Sequence, residues 1–588
     1  MTRMDRELWD AQEVAGDLVA AGSVFAFLAE HRRELFDDSF TADLFGSATG
    51  RPSLPADLVG SVLVLKELYD LSDGQTADAL RFDIRWKVAC GRSLTAMSFH
   101  PSTLVYWRRR IAASARPDRV FDKVAEVIAE TGLLRGRRKR CLDSTVFDDA
   151  VATQDTVTQL VAAIRKVART VPGAARVVAA VCALDYSRAG KPDIDWDDPA
   201  AKQALVSALV NDAVAVLGEL CRPGAPDRDA AAADALGLLA LVAGQDVEPA
   251  EDSDGTDGRW VIARRVAPDR VISTVDRQTR HTRKSRSQRR DGYRAHMAAE
   301  PDTGLITDCE MTMATGEDNT DAAMGVTMAN RDRFHPTPTA STDAETAETA
   351  ETADDGIAAA ITDVTDSPDV TDVTESTEST ESTEDDTAAA AAGSDETTDA
   401  EGEDDPASGL EIYGDSAYGS GQARAAYRQA GHDTVIKPKP LCPAVPGGFT
   451  LDDFIINDDS VTCPAGNTRP ISPARTVTFG RLCQSCPLRA QCTTAKTGRS
   501  MSIHEHQDLL RAARAQATTP QFTRDYPTRS NIERTIAHTA TQNGRRVTLR
   551  YLGTTKNNAW LHTRSAALNL RTLLTLGLTR TNGAWTLA

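Results

Sequence analysis

The sequence predicts an α/β chain of the α+β kind, preceded by an all-α N-terminal part. Three observations carry this. Apolar residues recur at helical spacing through 15–115. Two short extended runs contain or end on an acid, Cys141-Leu142-Asp143-Ser144-Thr145-Val146-Phe147 and Leu410-Glu411-Ile412-Tyr413-Gly414-Asp415. Helical spacing returns from Tyr526 to about Leu576, broken near Gly553. A chain of 588 residues is too long for one ordinary domain, so roughly two to four units are expected.

Residues 1–120 read as the helical N-terminal domain. Ser72 and Gln75 match a capping box that starts a helix through Ala79, Leu80 and Ile84. A short turn between two amphipathic helices is what a helix-turn-helix needs, which makes this domain a candidate DNA binder. A later helix from Pro101-Ser102 carries Trp107-Arg108-Arg109-Arg110, where phosphate contact competes with a solvated face. Residues 135–335 open with the Asp143 strand and hold a helical insertion at about 155–250, broken at Arg222-Pro223-Gly224. They then form a β-hairpin over 292–311 around Pro301-Asp302-Thr303-Gly304. Residues 336–408 repeat Thr with Glu or Asp; that composition cannot bury enough apolar surface to order itself, so a disordered acidic insert is expected. Strands resume over 409–440, a Cys-rich insertion fills 441–510, and 520–588 is helical.

The net charge of −19 misleads. Between Ser341 and Asp405 lie 23 Asp/Glu and no Lys or Arg, so the rest of the chain carries 66 basic against 62 acidic residues, a net of +4. The N-terminus lacks the apolar stretch of a secretory signal, and no apolar run approaches membrane-spanning length. The ten cysteines are not spaced as a secreted disulfide framework, so a reducing cytoplasm and no membrane partner are expected.

An acid inside or at the end of an apolar strand is costly to bury and marks a site. Asp143 and Asp415 meet that description. Glu533 begins a helix with Ile532 and Ile536 available for packing. Carboxylates delivered to one spot from separate elements are what hard divalent ions such as Mg²⁺ require for phosphodiester chemistry. Taken singly, each reads more readily as a solvated or capping carboxylate.

The flanking residues add a resemblance. Leu142-Asp143-Ser144-Thr145, the 292–311 hairpin, Tyr413-Gly414-Asp415-Ser416-Ala417-Tyr418-Gly419 and Tyr526-x2-Arg529-x3-Glu533 occur in the order seen in DDE insertion-sequence transposases. Leu71-Ser72-Asp73-Gly74-Gln75 and Phe82-Asp83-Ile84-Arg85-Trp86 resemble the helical N-terminal domain of the same family. The resemblance covers most of residues 50–575 outside the acidic insert. It implies an RNase H-like mixed sheet, with Asp143, Asp415 and Glu533 as catalytic ligands of Mg²⁺ or Mn²⁺. It further implies hydrolysis at the inverted-repeat ends of a mobile element and joining of the 3′ ends to target DNA. Double-stranded DNA is then the partner, a homo-oligomer on DNA follows from pairing two ends, and the location is the cytoplasm at the nucleoid. Relatives place a Lys seven residues past the Glu; here that position is Ala540, with Arg545, Arg546 and Lys556 as the cations nearby. The alternatives are a catalytically inactive, transposase-derived DNA-binding protein and an RNase H-like nuclease that cuts without rejoining.

Two further features stand beside the carboxylates. Cys463, Cys483, Cys486 and Cys492 are spaced C-x19-C-x2-C-x5-C, which suggests a structural Zn²⁺ in a zinc-ribbon-like insertion, with reduced thiols as the plain alternative. Arg277, Arg280, Arg283, Lys284, Arg286, Arg289 and Arg290 fall in one stretch without an acid, a candidate phosphate contact joined by Tyr526 and Arg529.

Overall fold

The computed structural model describes residues 10–45, 53–223, 228–265, 267, 269–283, 289–335 and 409–588. The acidic insert expected at 336–408 lies outside the described residues.

Among the described residues the central sheet has six strands: β1 (Lys139–Asp148), β2 (Arg280–Arg283), β3 (Arg289–Ala299), β4 (Ile306–Met313), β5 (Glu411–Gly414) and β6 (Asp433–Ile436). Their order is β2-β3-β1-β5-β6, with β4 also paired to β3. β1 runs antiparallel to β3 and parallel to β5, and β5 runs parallel to β6. The expected hairpin is β3–β4; its turn is held by Glu300, whose carboxylate accepts from Thr303 N at 2.8 Å, and by Gly304 at φ 71°. β1 is covered on both faces, as expected of a central strand. Leu142 packs with Met328, Tyr418 and Tyr427, and Cys141 packs with Phe522 and Ile532.

The Ser72 capping box forms: Gln75 N donates to Ser72 Oγ at 3.2 Å and Ser72 N to Gln75 Oε1 at 2.9 Å. It starts the Asp73–Phe82 helix. The preceding helix, Ala56–Leu68, is buried along almost its whole length. One apolar core joins these N-terminal helices to Tyr293, Met297 and Met311 of the sheet and to the long Thr554–Thr575 helix.

The insertion forms four helices, Thr156–Thr170, Ala174–Val181, Pro199–Leu220 and Ala230–Gln245, around a core of their own. Pro199–Leu220 is long and apolar enough by average composition to cross a membrane, although Lys202, Asn211 and Asp212 interrupt its apolar run. Its Leu205, Leu209, Val210, Ala213 and Val216 are buried against the other helices of the insertion. The Cys-rich segment folds into two small sheets around Phe454, Val461, Val477 and Phe479.

Candidate active site

Three elements deliver the three carboxylates. Strand side chains alternate with period two. Asp143 therefore shares a face with Cys141, which packs against Ile532, the neighbour of Glu533. Cys141 pairs with Tyr413 in parallel register. Asp415 follows the last residue of β5, Gly414, and lies close enough to Asp143 for its charge to push the Asp143 carboxyl up. Just past the end of β5, the Asp415 side chain turns toward its own following loop: Oδ1 accepts from Ala417 N at 2.8 Å, and the chain passes into the Ser420-capped helix Gly421–Gln429. Glu533 is the third residue of the Asn531–Ala540 helix.

Arg529, in the 3-10 turn Tyr526–Ser530, links the acids. Its Nη2 donates to Asp143 Oδ2 at 3.1 Å and its Nη1 to Glu533 Oε1 at 3.2 Å. Asp143 also accepts from Ser144 N at 2.8 Å. The side chain of Asp143 is 19% exposed and that of Glu533 60%. Burial raises the Asp143 carboxyl above its usual value, opposed by Arg529 and the Ser144 amide, while Asp415 and Glu533 push it further up. Tyr526 feels the same three acids; burial raises its phenol, and its ring stacks on Phe522 at 4.9 Å between centroids.

A second polar layer lies on the opposite face of β1. Arg294 and His296 pair in register with Val146 and Ser144, and both face Asp321 at the start of the Asp321–Asn330 helix. Burial opposes ionisation of Asp321, but His296, Arg294 and Ser144 hold its carboxyl low. The hydroxyl of fully buried Tyr418 sits among Asp321, Asp143, Ser144 and Asp415, and burial drives it well above its ordinary range. Sequence reasoning missed this layer. Its signal was Arg294 and His296 alternating with Tyr293, Ala295 and Met297 in a strand otherwise apolar.

The basic stretch is less free than its sequence suggests, because distant acids meet it. Arg277 pairs with Asp234. Arg280 is buried against Asp269 at 2.8 Å, and Arg290 pairs with Asp148 at 3.1 Å. Arg289 is exposed. Lys284, Arg286 and the side chain of Arg283 lie outside the described residues.

Cys463, Cys483, Cys486 and Cys492 line one small cavity with Phe449, Phe454 and Phe479. Among the described residues, however, no three His, Cys, Asp or Glu side chains stand as a group that could hold a metal ion. The zinc expectation is therefore not supported: Cys463, Cys483 and Cys492 pack as apolar side chains of this small core. At the carboxylate site the guanidinium of Arg529 holds the middle ground. Asp143, Asp415 and Glu533 likewise do not stand as a ready-made metal group, but carboxylate oxygens are the donor type that a hard divalent ion takes, and three of them against one guanidinium leave an excess of negative charge.

Two known families match parts of the chain. A family described as Transposase DDE domain matches residues 462–574, which include the Cys-rich segment and Glu533 but neither Asp. A family described as Transposase domain (DUF772) matches residues 22–110, the N-terminal helices. No curated protein and no solved structure matches the chain.

Proposed function

Because the chain belongs to the DDE transposases of insertion sequences, we propose that it hydrolyses DNA at the ends of its element and joins the freed 3′-hydroxyls to target DNA. Asp143, Asp415 and Glu533 are the catalytic carboxylates in this reading. The observation that carries it is Arg529 bridging Asp143 to Glu533, with Asp415 near enough for its charge to act on Asp143. The strand order and directions are read as an RNase H-like sheet.

The three carboxylates would hold Mg²⁺ or Mn²⁺, which supplies charge neutralisation on the phosphate and activation of the oxygen nucleophile. The chain's own groups have separate tasks. Asp143 and Asp415 are fixed by the main-chain amides of Ser144 and Ala417, so both are pre-aimed. Glu533 is the more exposed and adjusts as substrate arrives. Arg529 holds Asp143 and Glu533 together before DNA binds. Tyr526, stacked on Phe522, forms a wall of the site. Arg289 and Arg290 supply phosphate contacts, and the N-terminal helices bind the element ends. The partner is double-stranded DNA, engaged by a homo-oligomer that pairs two ends, at the nucleoid in the cytoplasm.

The test is cleavage of DNA carrying the gene's own flanks, by the full chain and its Asp415→Ala variant, with Mg²⁺ or Mn²⁺ and with chelator. Metal-dependent nicking at the flank boundaries, lost in the variant, is the expected result. Nicking without joined product would make the protein a nuclease. Binding without cleavage under every condition would make it an inactive DNA-binding relative.

A further inference from the structure

β1 continues five residues past Asp143, and β5 stops at Gly414, so that edge of β1 is open beyond the carboxylates. The segment after the Glu533 helix occupies it. A hairpin pairs Thr541–Gln542 with Arg545–Arg546 and turns on Asn543 (φ 50°) and Gly544 (φ 74°), the left-handed pair that an Asn-Gly turn provides. Arg546 Nη2 then donates to Val146 O at 2.8 Å, and Leu549 N to Asp148 O at 2.9 Å, while Thr548 bridges Asp148 in parallel. Beyond its Asp, β1 thus lies between two hairpins, β2–β3 on one edge and Thr541–Arg546 on the other.

Both hairpins bring cations. Arg290 reaches Asp148 at 3.1 Å. Arg546 is held below its usual value by burial first and by Arg290 next, with Asp148 opposing. Arg289 and Arg545 are exposed and form no ion pair among the described residues. Guanidinium groups gathered around a single acid repel one another, and a polyanion relieves that repulsion.

We propose that Arg290, Arg545 and Arg546 form the track along which the phosphate backbone of one DNA strand leaves the carboxylate site. This rests on the reading of that site as a phosphodiester centre. Val146 is three residues past Asp143, roughly 10 Å along the strand. Arg546, bonded to Val146 O, therefore meets the backbone a short way beyond the reacting phosphate.

The test is the affinity of the full chain for a short duplex of random sequence, measured by fluorescence anisotropy across roughly 50–200 mM salt. Arg546→Ala is expected to weaken binding several-fold and to flatten the salt slope by about 0.9, one phosphate contact. Arg546→Lys should keep the slope, because an ammonium still neutralises a phosphate. Asp148→Asn, which removes the acid beside Arg290, should tighten binding. If Arg546→Ala fails to fold, Arg545→Ala and Asp148→Asn decide, since neither removes the bond to Val146. Unchanged affinity and slope in these variants overturn the track, while a parent chain that binds no DNA at any salt overturns the underlying reading instead.

Discussion

Asp143 combines burial with like-charged neighbours, and that has a pH signature. Its folded pKa lies above the ordinary carboxylate value. Ionised Asp143 therefore costs stability near neutral pH, and the cost disappears once pH falls below about 3.9, where the group is protonated folded or unfolded. Asp143→Asn keeps an acceptor for the Ser144 amide and loses the charge. It is expected to melt above the parent near neutral pH and level with it in acid; a lower neutral melting point would mean that the Arg529 pair outweighs burial. Mg²⁺ or Mn²⁺ should raise the melting temperature of the parent more than that of the variant. Arg529→Lys is a second test at this scale. A point ammonium cannot span Asp143 and Glu533 as the planar fork does. Cleavage should fall roughly 100-fold, the cost of about 1 Å of misplacement, with DNA affinity little changed; equal losses in both would make Arg529 a simple binding group. The two Asp residues were legible because an acid in an apolar strand is conspicuous. The role of Arg529 as a bridge was not, because the strand–helix distance that it spans is set by packing.

At the scale of elements, the helix that carries Glu533 is held at its C-terminal end. Arg564, fully buried, donates Nε to Thr539 O at 2.7 Å and Nη2 to Thr541 O at 3.1 Å, and Nη1 to Glu67 O at 2.7 Å. A cation on those carbonyls also complements the negative end of the helix dipole. Arg564→Met leaves buried carbonyls without donors and should destabilise the fold by roughly 3 kcal/mol or more. In chemical denaturation the midpoint should fall, and an unchanged midpoint would show that water replaces the guanidinium. On the other face of the sheet, a Cβ at Gly325 would run into Tyr427 Oη and lie 2.7 Å from Tyr418 Cδ1. Gly325→Ala is expected to cost about 1–3 kcal/mol by overpacking and to reduce cleavage through Tyr418 and Asp415; normal activity would mean that the Asp321–Asn330 helix moves away freely. Elements with local signals were legible: the Ser72 capping box, the β3–β4 turn and the insertion helices. The basic stretch was misread as unopposed because Asp148, Asp234 and Asp269 reach it only in the folded chain. The Asn543-Gly544 hairpin escaped because two-residue strands have no periodicity to read.

Across the whole molecule, charge is divided more sharply than structure. The N-terminal helices, one face of the sheet and the Thr554–Thr575 helix share a single apolar core, so displacing the N-terminal part also disturbs the surroundings of the carboxylates. Charge instead separates by sequence, with 23 acids and no Lys or Arg between Ser341 and Asp405 and a net of +4 elsewhere. Such an acidic block lowers the attraction of the whole chain for a polyanion through long-range repulsion. That repulsion is screened over about 10 Å at 0.1 M salt, so it acts mainly in dilute buffer. Deleting residues 341–405 should therefore tighten binding to random-sequence duplex DNA at low salt and leave it nearly unchanged at high salt. Tightening that persists at high salt would point instead to direct occupation of the DNA-binding surface by the acidic block. Weaker binding at every salt concentration would mean that the block helps to build that surface, and the division of charge would then have to be read as structural.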